Sequence, residues 1–227
     1  DDLVNISVKN HMHGFENEFA HIRKEVSFEK AASGFMVADP LTLYDCCPTS
    51  DGASCVILAA DHVVREFTDD PIWLKGSGAG SDHLALHDRH SITQMSATQK
   101  AVAQAYKSSG VLARDIDLAE VHDCFTIAEL MATEDLGFAN RGEGGLFARQ
   151  GRGRRNEGDV AINPSGGLKS KGHPLGATGT GQAVEVFKQL KGTVEGPRQI
   201  RDAEIGLTHN VGGSGATCAV HIFGRDR

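Results

Sequence analysis

Asn163-Pro164-Ser165-Gly166-Gly167-Leu168-Lys169-Ser170-Lys171-Gly172-His173-Pro174-Leu175-Gly176-Ala177-Thr178-Gly179-Thr180-Gly181 sets one histidine between two glycine-rich turns. An apolar helical pattern follows at once in Ala183, Val184, Val186, Phe187 and Leu190. Rigid turn backbone can aim the ring of His173, and the N–H groups opening the next helix attract developing negative charge. A lone histidine between glycines is more often a packed turn residue. Glycine turns on both sides and the helix directly after them favour a functional one. The stretch is not a P-loop, because no Lys-Ser/Thr pair follows the run from Gly176 to Gly181.

Downstream, Ile205-Gly206-Leu207-Thr208 predicts a strand that ends in His209-Asn210-Val211-Gly212-Gly213-Ser214-Gly215. Thr217 to Phe223 predicts the strand that follows. Glycines in that segment let the backbone approach a ligand, and successive N–H groups can form an anion nest. A tight turn between two strands explains the same residues equally well. Upstream, Ile116 to Val121 predicts a strand, and Phe125 to Leu136 a helix with Ile127, Leu130 and Met131 on one face. Between them lies His122-Asp123-Cys124-Phe125. Cys124 falls at or near a helix N-terminus, where the dipole lowers a thiol pKa and suits it to general acid/base work. An isolated cysteine is usually a small buried residue; His122 and Asp123 beside it favour chemistry. Strands alternating with helices argue for an α/β layered domain, and a short glycine turn between the last two strands for a mixed sheet. Chemistry in such sheets gathers in loops at strand ends, and three such loops carry reactive groups here.

The remaining chain is read more coarsely. Residues 1–38 look like helix and loop: Leu3, Val4, Ile6 and Val8, a His/Asn/Gly-rich break, then a Glu/Lys-rich helix-like stretch with Phe28. Ser54-Cys55-Val56-Ile57-Leu58-Ala59-Ala60 predicts a buried strand, and Ile72 to Gly76 another. Gly76 to His90 reads as a loop. Helical periodicity runs from Met95 to Tyr106, with Gly110 as its stop. Gly137 to Gly158 reads as a Gly/Arg-rich loop.

Composition bounds the function. The 227 residues carry a net charge of −7 and no long basic stripe, which argues against a nucleic-acid partner. No apolar run approaches the ~18 residues needed to cross a bilayer. The cysteines Cys46, Cys47, Cys55, Cys124 and Cys218 are odd in number and lack zinc-type spacing, so a reducing, cytoplasmic setting is expected. His83, His87 and His90 lie in a Gly-rich loop without cysteine partners, and no metal site is expected there. Arg149, Arg152, Arg154 and Arg155 form a basic loop that reads as solvated; the other reading is a contact to coenzyme A phosphates.

Taken together, His122-Asp123-Cys124-Phe125, Asn163-Pro164-Ser165-Gly166-Gly167, Gly172-His173-Pro174-Leu175-Gly176-Ala177-Thr178-Gly179 and the His209-Asn210-Val211-Gly212-Gly213 turn resemble the thiolases. They resemble most the sterol-carrier-protein-type and archaeal-type thiolases, with Ser50-Asp51-Gly52-Ala53 in support. The resemblance implies an α/β thiolase fold. Residues 1–66 would be the end of the loop domain and the last strand of the N-terminal half, and residues 67–227 the C-terminal domain. It implies an acyl-CoA C-acyltransferase that condenses acyl-CoAs or cleaves a 3-ketoacyl-CoA. Coenzyme A thioester would be the substrate, with no covalently bound cofactor. His173 would activate a nucleophilic cysteine and, with His122 through a bound water, define an oxyanion hole. Cys124 would exchange a proton with the second substrate, and the backbone N–H of Gly212 would help form a second oxyanion hole. A homodimer or homotetramer and a zinc-ribbon/OB-fold partner protein are further implications.

Two departures qualify the resemblance. Many thiolases carry their acid/base cysteine in the last glycine-rich turn, where this chain has Asn210; in the subgroup the role falls to Cys124. The family nucleophile lies in an N-terminal half, and Cys46, Cys47 and Cys55 lack its context and read as structural. The chain therefore reads as the C-terminal portion of a thiolase and is expected to be inactive alone. Two alternatives are a non-catalytic thiolase-like CoA-binding or scaffold protein, and a thiolase-like aldolase acting on a side-chain CoA ester. Retention of Cys124 weighs against the aldolase.

Overall fold

The computed structural model describes residues 1–226. The helices are α1 (Asp2–Phe15), α2 (Phe28–Ala32), α3 (Ser96–Ser109), α4 (Thr126–Asp135), α5 (Gly144–Arg149), α6 (Gly167–Ser170) and α7 (Thr178–Lys191). The strands are β1 (Met36–Ala38), β2 (Leu41–Thr42), β3 (Trp73–Ser81), β4 (Leu118–Glu120), β5 (Ala161–Ile162), β6 (Ile205–Gly212) and β7 (Thr217–Gly224). Among the described residues, five strands form the main sheet in the order β3-β7-β6-β4-β5. β4 runs parallel to β5 and β6, while β7 is antiparallel to β6 and β3, so the sheet is mixed as expected.

Alternation along the strands divides the core into two layers. Ala119, Leu207, Val220 and Ile222 pack with Ala101, Val102 and Ala105 of α3 and Ala132 of α4. Leu118 and Ala161 pack with Val186 and Leu190 of α7 on the other side. The contact of α3 with β3 is unusually close. A Cβ added at Gly76, Gly78 or Gly80 would stand 2.4, 1.9 or 2.1 Å from the carbonyl oxygens of Ala105, Ala101 and Ala97. Small residues at i, i+4 and i+8 of the helix meet glycines at alternate strand positions, so backbone lies on backbone. The same helix covers the free edge of β3. Lys100 donates to the Ser81 carbonyl at 2.8 Å, and Gln104 donates to the Ala79 carbonyl at 3.0 Å and accepts from its N–H at 3.3 Å. Ser108 accepts from the Ser77 N–H at 3.3 Å. These side chains occupy edge groups that another strand would otherwise seek.

Several expectations need correction. Ser54 to Ala60 is not a buried strand: it has no regular structure, Ile57 is 90% exposed and Leu58 76% exposed. Its apolar pattern signals burial, but among the described residues no strand lies beside it to pair with. Cys55, expected inside that strand, is exposed. β3 extends to Ser81 through part of the expected Gly76–His90 loop, because its glycines serve the approach of α3. β6 continues through Gly212, so His209, Asn210 and Val211 belong to a strand and the turn proper is Gly213–Gly215. The Gly137–Gly158 loop contains α5. The His/Asn/Gly-rich "break" is the second half of α1, where Asn10, His11, His13 and Gly14 are all buried. Among the described residues no helix is long and apolar enough to cross a membrane.

Candidate active site

A short segment sews two of the three sequence-predicted loops together. Cys46 bridges to Phe125, the N–H of Cys47 donates to the Cys124 carbonyl at 3.0 Å, and Thr49 bridges to His173. Strand β4 delivers His122, Asp123 and Cys124; the turn ahead of α7 delivers His173. The rings of His122 and His173 meet edge to face, with centroids 5.0 Å apart and planes at 88°.

The hydrogen bonds define which nitrogens are free. Nδ1 of His173 lies 2.8 Å from Oγ1 of Thr178, whose hydroxyl donates back to the Pro174 carbonyl at 3.0 Å. With its one proton committed there, the Thr178 oxygen accepts from Nδ1–H. We assign that tautomer, which leaves Nε2 of His173 with a bare lone pair. His122 is buried, and its Nδ1 has no hydrogen-bond partner. Both imidazoles thus carry a nitrogen not committed to the fold.

His209, to which sequence reasoning assigned no role, is the support beneath this pair. It is fully buried; its Nδ1 takes the His122 N–H at 3.4 Å and its Nε2 meets Thr98 Oγ1 at 3.0 Å. Thr98 in turn points its hydroxyl at Cys218 Sγ, 3.6 Å away. Burial lowers all three pKa values. His122 falls to about 4, through burial and then the neighbouring His173, and His209 to about 3, through burial and then His122. His173 is lowered by burial. Each ring is neutral near pH 7, able to accept a proton or to donate an N–H without prior charge.

Cys124 differs from the sequence expectation. Burial, then the charges of Asp123 and Cys47, push its thiol up to about 12, while the Phe125 N–H pulls weakly the other way. The lowering expected from position is outweighed by burial beside a carboxylate. At neutral pH Cys124 keeps its proton, which suits a proton donor rather than a nucleophile.

Asp123 anchors the loop. It is fully buried and accepts from the N–H groups of Leu168 (2.7 Å) and Lys169 (3.3 Å) and from Asn10 Nδ2 (2.8 Å). A Cβ at Gly167 would lie 2.3 Å from its carboxylate, and φ there is +61°. Asn10 also donates to Glu129 at 2.7 Å; Lys9 pairs with Glu129 at 3.0 Å; Asn163 donates to Glu129 at 2.8 Å and accepts the Val121 N–H at 2.8 Å. Burial and the Glu129 charge raise the Asp123 carboxyl above its usual range. The Asn163–Gly167 turn is further fixed by Ser165, whose N–H and hydroxyl bind the buried Glu120 at 3.0 and 2.7 Å.

Gly212 stands at the exposed tip of β6, three residues beyond His209, where the Gly213–Gly215 turn begins. A cleft of about 700 Å³ flanks the His173 turn, lined in part by Ser50, Gly52, Lys171, Pro174 and Lys188. A second cavity of about 280 Å³ lies on the other side of the sewing segment, lined in part by His11, Tyr44, Cys46, Cys47 and Lys169. The arginine loop is committed to ion pairs: Arg149 with Asp2, Arg152 with Asp159, Arg154 with Glu157 and Arg155 with Glu16. His83, His87 and His90 are exposed, and among the described residues no group of three or more His, Cys, Asp or Glu could hold a metal ion.

Comparison with known proteins gives a consistent result. The family described as thiolase C-terminal domain-like matches residues 78–225. An acetyl-CoA acetyltransferase of Methanothermobacter thermautotrophicus is 50% identical over 225 residues, which are 99% of this chain and 58% of that protein. Human sterol carrier protein 2 is 37% identical over 221 residues, 95% of this chain and 40% of the relative. The chain thus spans somewhat over half, or less, of these relatives. Among solved structures, one titled "Ltp2-ChsH2(DUF35) aldolase" superimposes with a TM-score of 0.86 at 24% identity, over all of this chain and 58% of that one; it shares the fold. With its family match running from β3 to β7 and the His122–His173 pair inside it, the chain belongs to the thiolase family through that family's C-terminal domain.

Proposed function

We propose that this chain supplies the acid/base and oxyanion-stabilising side of an acyl-CoA C-acyltransferase, with acetyl-CoA as a natural acyl donor. The nucleophilic cysteine would come from the part of the longer relatives that this chain does not span. Nε2 of His173 takes the proton of that cysteine as it attacks the thioester carbonyl. The negative charge that develops on oxygen meets the neutral His122 ring, directly or through one water, and the imidazole that now holds a proton. Each such donor lowers the barrier by roughly 3 kcal/mol. Covalent capture divides a difficult carbon–carbon step into two easier ones. Cys124, protonated at neutral pH, gives its proton to the departing carbanion in cleavage and recovers one in condensation. The N–H of Gly212 is assigned to a second oxyanion hole.

The observation that carries this reading is the edge-to-face pair of imidazoles 5.0 Å apart, each with an uncommitted nitrogen, with the protonated Cys124 on the same loop as His122. A homodimer or homotetramer, a zinc-ribbon/OB-fold partner and a cytoplasmic location belong to the same proposal. The five unpaired cysteines fit a reducing compartment. Thiolysis of acetoacetyl-CoA tests it. The chain alone should show none, and the polypeptide extended to the length of the relatives should show turnover that Cys124→Ala and His173→Ala abolish. An extended polypeptide that binds coenzyme A esters but never turns over would favour a binding module instead.

A further inference from the structure

Cys47 and Cys124 are neighbours at an isolated antiparallel bridge. Cys46 pairs antiparallel with Phe125, so the next rung pairs Cys47 with Cys124, and the Cys47 N–H donates to the Cys124 carbonyl at 3.0 Å on that rung. Directly opposed residues of an antiparallel rung share one face, with Cα atoms about 5.5 Å apart when hydrogen-bonded. A disulfide spans Cα separations of roughly 4.4–6.8 Å. Both thiols are free and half-buried, and Cys47 lies near enough to Cys124 to oppose its ionisation. Cys46, one residue back, has its own partner in the Thr42 carbonyl at 3.5 Å.

Access differs between the two. Cys47 lines the 280 Å³ cavity; burial and then the Asp123 charge raise its thiol, and the buried Lys169 opposes them in part. Cys124 does not line it. Cys46 lines it as well, so a small oxidant entering that cavity meets Cys46 and Cys47 before Cys124.

We propose that Cys47 and Cys124 form an oxidation site that a hydroperoxide closes into an intramolecular disulfide. The Cys47 sulfur attacks the terminal oxygen of the hydroperoxide; the O–O bond breaks, and the alcohol leaves carrying the thiol proton. Cys47 is now a sulfenic acid. The Cys124 sulfur attacks the Cys47 sulfur, the S–O bond breaks, and hydroxide leaves with the Cys124 proton as water. Two electrons pass from the two thiols to the peroxide. Burial disfavours both thiolates, so the reaction is slow and needs a sustained excess of oxidant. The consequence rests on the proposed function: the oxidised site loses the proton donor assigned to Cys124, and reduction restores it.

The test is made on the chain itself. Oxidation with tert-butyl hydroperoxide, alkylation and peptide mass mapping should reveal one cross-linked peptide joining the segments of Cys47 and Cys124, lighter by two hydrogens and cleaved by dithiothreitol. Cys46→Ser should leave that cross-link intact, and Cys47→Ser should abolish it. Cross-linking through Cys46, or oxidation of Cys47 to the sulfinic acid with Cys124 still alkylatable, overturns the proposal. The mass readout is independent of catalysis. If the disulfide forms but the full-length protein shows no acyl transfer even when reduced, the proposed function fails and the oxidation site stands.

Discussion

Two regions of this chain make opposite use of their sequence. Around Asp123, a helix from the first fifteen residues, a strand-to-helix loop and a glycine turn interlock through buried polar groups whose partners are more than a hundred residues apart. Around Ile57, the six apolar and small residues from Cys55 to Ala60 lie bare, without a strand to join among the described residues. Hydrophobic pattern states that a segment is to be covered; it does not state by what. A buried amide or carboxylate is more demanding, since each unpaired group costs about 1–3 kcal/mol, and its partners must be in place. The site is ordered because its partners lie within this chain.

The contrast can be broken or sharpened by substitution. The largest effect is expected at His173. Under the proposed function, His173→Ala in a polypeptide extended to the length of the relatives should lower kcat by roughly 10²–10⁴-fold, with little change in the unfolding midpoint, because the role proposed for it is on substrate and not in the fold. Next comes the α3–β3 contact. Gly78→Val forces a side chain onto the Ala101 carbonyl and should cost about 3 kcal/mol, read as a shift of the urea midpoint of this chain at constant m-value.

The polar network should be nearly as sensitive. Asn10→Leu keeps the branched outline of the side chain but leaves Asp123 and Glu129 facing each other without their shared donor. A loss of about 2 kcal/mol is expected, together with faster hydrogen exchange at the Leu168 and Lys169 amides. An unchanged stability would show that α1 covers the site without holding it.

Acidification probes the same region. His122 and His209 have native pKa values of about 4 and about 3, below the 6.5 of a free imidazole. A base depressed by folding contributes stability that is present above pH 6.5 and is lost as pH falls toward the native value, because the unfolded chain binds the proton first. Asp123 works in the opposite sense, since a carboxyl held above its usual range costs stability as pH rises. One carboxyl against the buried rings of His11, His13, His122 and His209 leaves the acid-side loss dominant. The urea midpoint should therefore fall between pH 7 and pH 5, each fully buried imidazole contributing roughly 2 kcal/mol, and His209→Gln should blunt that fall. The smallest effect belongs to the bare segment. Ile57→Ser should change the stability of this chain by no more than about 0.5 kcal/mol. A loss of several kcal/mol would mean that the segment is packed after all.

What the amino-acid pattern makes legible follows the same division. α4, β4 and β7 are visible within a residue or two, and α3 and α7 are visible as helices with less exact ends, because periodicity and Gly110 are local signals. His122, Cys124 and His173 are visible because glycine turns and strand ends frame them. The second half of α1 is not, since Asn10, His11 and His13 are poor helix formers held in place by distant partners. The role of His209 hides for the same reason: its neighbours in space are Thr98 and the backbone of His122. The thiol of Cys124 misleads because position at a helix start is local, whereas the carboxylate and burial that outweigh it are tertiary.

The central claim is that two neutral imidazoles meet edge to face, His173 with its proton on Nδ1 and His122 with an unpartnered Nδ1. Nitrogen-15 NMR of histidine-labelled chain across a pH series tests it most directly. The account predicts that His173 carries its proton on Nδ1, that His122 titrates near 4, and that each ring's shifts respond to substitution of the other. An Nε2-protonated His173, or a His122 that titrates at or above the free value of 6.5, would contradict it.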